Sequence, residues 1–121
     1  MNNITGKNIL KDKSYNFALR IIKLYKFLNS KNEFILSKQI LRSWTSVWAM
    51  IREWEFAQSK ADFINKMSVA LKEINETWYW LDLLKESWYI EKDNYESIYL
   101  DYQEIIKLLI STIKTSKNNL Y

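Results

Sequence analysis

The chain contains no proline, and its one glycine is Gly6, so everything from Lys7 onward is built without the two residues that most readily turn a backbone. Reverse turns between strands lean on Gly, Pro or Asn-Gly pairs. A chain lacking them is biased to helices joined by short polar loops, and the spacing of apolar residues then locates each helix. The first is expected over residues 14–28, with Ser14 as N-cap and Phe17, Ile21, Leu24 and Leu28 forming one stripe. The second should begin at Glu33 or Ser37 and reach Gln58, carrying Ile40, Trp44, Val47 and Ile51 on one face. Ser59-Lys60-Ala61-Asp62 has the Ser-x-x-Asp form of a helix start and precedes Phe63, Met67, Ala70, Ile74 and Leu81. The third helix should therefore end near Glu86, with a loop over 87–94. A fourth is expected over 95–114, with Ile98, Tyr102, Ile105, Leu109 and Ile113 facing inward. Short connections force antiparallel neighbours. The expected fold is one all-α domain, an antiparallel up-down-up-down four-helix bundle, with residues 1–12 as an N-terminal extension and 115–121 as a C-terminal tail.

Composition narrows the function classes. Hydrophobic residues make up 48% and charged residues 26%, which suits a single packed core. Cysteine and histidine are both absent. Disulfides, thiolate nucleophiles, Ser-His dyads and zinc sites built on Cys or His are thereby excluded. No cofactor and no enzymatic activity are expected. No apolar run is long enough for a membrane span, and Lys7, Lys11, Asp12 and Lys13 make the N-terminal segment unlike a signal peptide. The expectation is a cytoplasmic protein without a membrane partner. The net charge of +4 is unevenly spread. Residues 1–43 hold nine basic residues against Asp12 and Glu33, the middle of the chain is acidic, and Lys107, Lys114 and Lys117 close it without an acid.

Several strings resemble the 23S rRNA-intervening-sequence protein family. They are Leu36-Ser37-Lys38-Gln39-Ile40-Leu41-Arg42-Ser43, Thr45-Ser46-Val47, Ile51-Arg52-Glu53 and the run from Ala57 to Lys66. Ala70-Leu71-Lys72-Glu73, Glu76-Thr77 and Tyr79-Trp80-Leu81 continue the likeness, as do Lys13-Ser14-Tyr15 and Ile113-Lys114-Thr115. The resemblance implies a four-helix bundle that assembles with copies of itself into a ring-shaped homopentamer. Through a branch that serves beside reverse transcriptases, it also implies a nucleic-acid contact. It carries no catalytic residues. The chain departs from the family pattern at Trp44, Trp48, Met50, Trp54, Ile74 and Trp78, where smaller or more polar residues are usual. That concentration in two neighbouring helices resembles an engineered hydrophobic surface.

Four indoles placed where small residues are usual would overpack an existing core. At ~150–250 Å² each, their burial is worth on the order of 20 kcal/mol before the cost of association. The six residues Trp44, Trp48, Met50, Trp54, Ile74 and Trp78 are therefore expected to line an oligomer interface or an apolar pocket, with a rebuilt core as the remaining option and Trp80 in the core. Lys7, Lys11, Lys13, Arg20, Lys114 and Lys117 should gather at the end of the bundle where the first helix starts and the fourth ends. Repeated around a ring, they form a candidate phosphate-binding patch, although a solvated face has the same composition. Glu53, Glu55, Glu73 and Glu76 suggest a di-metal bundle, but such sites use Glu-x-x-His. Ion pairs with Arg42 or Arg52 fit them better.

Overall fold

A computed structural model describes residues 2–118, with side chains from Ile9 to Lys117. Four helices follow one another: α1 (Asn2–Ser30), α2 (Leu36–Glu53), α3 (Lys60–Glu86) and α4 (Lys92–Asn118), with a 3-10 turn, Trp54–Phe56, closing α2. Each packs on its two neighbours in the cycle α1-α2-α3-α4, and no Cα pair across either diagonal comes within 8 Å among the described residues. Cross-helix pairs run in opposite directions along the chain, the mark of antiparallel packing. Lys11 meets Glu55 and Tyr15 meets Trp48 between α1 and α2, while Ser43 meets Thr77 and Glu53 meets Lys66 between α2 and α3.

The core is one cluster that includes Leu10, Phe17, Ile21 and Leu28 from α1, Ile40, Trp44, Val47 and Ile51 from α2, Met67, Ala70, Ile74, Leu81 and Leu84 from α3, and Ile98, Ile105 and Leu109 from α4. At 25 cal/mol per Å², a buried Leu, Ile or Phe contributes roughly 1.5–3 kcal/mol each. Buried polar links also join neighbouring helices within it. The Thr77 hydroxyl donates to Ser43 Oγ at 2.8 Å, and Ser43 donates onward to the Ile40 carbonyl at 3.1 Å.

Three of the four expected helices have different limits. α2 stops at Glu53 and passes through the 3-10 turn Trp54–Phe56 into extended Ala57, short of the expected Gln58. α1 starts at Asn2, so residues 2–12 are its first turns and not an extension, and Leu10 is fully buried there. Ser14 is not a cap. It is a buried mid-helix residue whose small side chain lets α2 approach. α4 begins at Lys92 and runs through the expected tail to Asn118; residues 119–121 lie outside the described part.

The loops have local causes. α3 starts at Ser59, whose Oγ accepts from the Asp62 N–H at 3.0 Å while Asp62 Oδ2 accepts from the Gln58 N–H at 3.0 Å. Both loops at the opposite end close with the same carbonyl-capping pattern. After α1, the N–H groups of Asn32 and Glu33 donate to Asn29 and Leu28. After α3, those of Trp88 and Tyr89 donate to Lys85 and Leu84. The pattern needs one left-handed residue, normally Gly. Here Asn32 takes φ 64° and Trp88 takes φ 67°. Asn tolerates that region; for Trp it costs about 1–2 kcal/mol. No described helix is long and apolar enough to cross a membrane.

Candidate functional site

The structure separates the six residues expected on one surface. Trp44 and Ile74 are fully buried and Trp54 nearly so. They lie inside the subunit, where no second copy can reach them, and the expectation of an assembly surface is corrected for these three. Trp44 packs against one small and one large residue of α1. Its Nε1–H donates to the Ser14 carbonyl at 3.3 Å, and its ring lies 4.3 Å from that of Phe17. Trp54 closes the lower end of the core against Phe63, with ring centroids 5.7 Å apart.

Trp48, Met50 and Trp78 are half-buried, and two of them are on opposite flanks of the bundle. Trp48 turns toward α1, 5.6 Å from Tyr15, with the Arg52 guanidinium 6.0 Å from its ring. Trp78 turns toward α4 into a tyrosine ladder, at 5.0, 4.6 and 4.8 Å from Tyr95, Tyr99 and Tyr102. Burial pushes the Tyr95 and Tyr102 phenols above their ordinary range, and for Tyr95 the hydrogen bond to Asp82 adds to it. Trp80, expected in the core, is half-buried against Tyr79, and its indole N–H is sealed from solvent without a partner among the described residues. A groove of about 470 Å³ lies between the end of α1 and the α3–α4 loop. None of the six residues lines it, which leaves the apolar-pocket expectation without a cavity there.

An exposed apolar stripe on α1 was missed by following the core spacing alone. Tyr15, Leu19 and Ile22 are 50%, 42% and 37% exposed and recur at four and three. Tyr15 sits beside Trp48 on the α1–α2 flank. The signal of these three residues in the sequence is a second apolar stripe, out of phase with Phe17, Ile21 and Leu28.

The described basic residues do not all gather in one patch. Arg20 lies high on α1 and binds α4 near its start, with Nη1 2.6 Å from Asp101 and Nη2 3.1 Å from the Ser97 hydroxyl. At 1.5 Å per residue, that is roughly 20 Å from Lys114. Lys13 pairs with Glu104, whose hydrogen bond and charge raise its ammonium above the ordinary value. Lys11 pairs with Glu55 and lies over the Trp54 ring. Lys114 and Lys117 remain exposed at the other end. The side chain of Lys7 lies outside the described residues. The four carboxylates are likewise engaged by cations: Arg42 holds Glu73 and Glu76, Lys66 holds Glu53 at 3.8 Å, and Lys11 holds Glu55. Arg52 instead lies over Trp48.

Comparison with known proteins agrees with this geometry. The model of the 23S rRNA-intervening sequence protein family matches residues 6–111. A solved structure from Bacteroides thetaiotaomicron, described as a protein of unknown function from the S23 ribosomal protein family, is 62% identical over 90% of this chain and 98% of its own, with a TM-score of 0.87. No curated protein matches.

Proposed function

Because the chain belongs to the 23S rRNA-intervening sequence protein family, we propose that it is a non-enzymatic assembly subunit that works as a homo-oligomeric ring, five being the number the resemblance implies. The observation that carries this reading is the exposed Tyr15–Leu19–Ile22 stripe, continuous with half-buried Trp48. The exposed part of an apolar stripe gains free energy when another surface excludes water from it. The non-enzymatic part rests on composition, since the chain lacks His and Cys, and on the four candidate carboxylates being held by Arg42, Lys66 and Lys11.

Light scattering on Leu19→Glu beside the parent tests it. A carboxylate on this stripe has to lose water at the contact, so the variant should form a smaller particle while its helical circular dichroism is unchanged. Equal masses for the two chains would remove the stripe from the assembly. A nucleic-acid contact is the second reading. Its support is Lys114 and Lys117, exposed and with no carboxylate partner among the described residues.

A further inference from the structure

The loop end of the bundle exposes apolar side chains that the fold does not use. Trp88 is 93% exposed, Ile35 75% and Phe34 50%. Trp88 also occupies the one left-handed position in its loop where glycine would relieve the backbone. Its indole contributes almost no burial to its own chain, and its backbone position disfavours it. Neither local geometry nor the core therefore accounts for a tryptophan at this place.

The two loops lie on opposite edges of the bundle end, because α1–α2 and α3–α4 are opposite sides of the helical cycle. Their charges are opposite as well. Around residues 31–35, Lys26, Lys31 and Lys38 are exposed with no carboxylate partner among the described residues. Around residues 87–91, Lys85 and Lys92 are already matched to Glu86 and Glu96, which leaves Glu91 and Asp93 exposed and unmatched. A basic edge carrying Phe34 and Ile35 thus faces an acidic edge carrying Trp88 across one end.

A two-fold axis parallel to these edges and midway between them exchanges the two. It would bring the basic edge of one copy onto the acidic edge of the other, twice over. We propose that two copies of this chain meet loop end to loop end in this way, each seating its Trp88 against Phe34 and Ile35 of the other. Isologous contacts of this kind repeat every pairing in both directions. A uniformly basic end would instead favour a polyanion or an anionic lipid surface; the acidic half of this end opposes both. The contact goes beyond the ring proposed above. It uses the end of the bundle and not its flank, so two rings, or two single subunits, can be joined by it.

Trp88→Gly is the direct test, since glycine suits the left-handed backbone and the variant should fold at least as well as the parent. Light scattering at high protein concentration should give half the parent's mass. Lys31→Glu and Glu91→Lys should each also give half, because each sets like charges against one another. An equimolar mixture of those two variants should restore the full mass, since both pairings become complementary again. An unchanged mass for Trp88→Gly would overturn the proposal. So would flotation of the parent, but not Trp88→Gly, with phosphatidylglycerol vesicles when the two have equal masses, for that outcome assigns Trp88 to a lipid surface. The ring and this contact fail separately: Leu19→Glu reports on the flank, and Trp88→Gly on the end.

Discussion

Trp44 is enclosed by side chains from across the bundle, with its ring against Phe17 and its N–H on the carbonyl of Ser14. Truncating it to Ala should cost about 3–5 kcal/mol, the range for large aromatic deletions in a core. Denaturant unfolding followed by circular dichroism measures this directly, and a loss below about 1 kcal/mol would contradict the core placement. Ser14 beneath it holds a buried hydroxyl with no partner among the described residues. Ser14→Ala removes that unsatisfied group without opening much space, so stability should hold or rise by up to about 1 kcal/mol. These two positions also show where sequence reasoning stopped. The excess of tryptophan is visible in the sequence, and so is the rule against overpacking. Which small residues face each indole depends on the register of α1 against α2, and no local pattern states it.

Along whole helices, the limits of α3 were readable because its start has a chemical signature. Ser59 and Asp62 cap it, and the apolar run from Phe63 onward keeps one phase to the end at Glu86. The start of α1 was not readable, because a serine within an interface has the same letter as a serine at a cap. Leu10, one turn earlier and buried, was the clue that the stripe continues. The α3–α4 seam makes a pH prediction. Tyr95 and Tyr102 hold their protons more tightly when folded than the unfolded chain does, first because burial disfavours the phenolate. The sign follows: this stabilisation is fully present below the unfolded value near pH 10 and is lost as pH rises beyond it. The denaturation midpoint should thus fall between about pH 10 and 12, more steeply than in Tyr95→Phe, which has one phenol fewer to ionise. Parallel falls for the two proteins would show that Tyr95 is not part of the cause.

For the molecule as a whole, the question is how much of its positive charge is available to a partner. Net charge counts Lys13 and Arg20 as free cations, yet Glu104 and Asp101 on α4 hold them. Each partner is more than a third exposed, and water screens the attraction, so these pairs add little to stability. Their larger effect is on the field along the α1–α4 flank, which they turn from basic to near neutral. Glu104→Gln with Asp101→Asn should release both cations while leaving the fold intact. If single-stranded RNA binds this protein through its phosphates, the double variant should bind more tightly at low salt. Its log–log salt dependence should also steepen by about 0.7 for each phosphate newly contacted. Filter binding across a salt series reads both quantities. Tighter binding with a steeper slope would mean that the acidic partners on α4 restrain a flank able to hold RNA. An unchanged slope would mean that RNA, if held at all, is held elsewhere, with Lys114 and Lys117 the next residues to substitute.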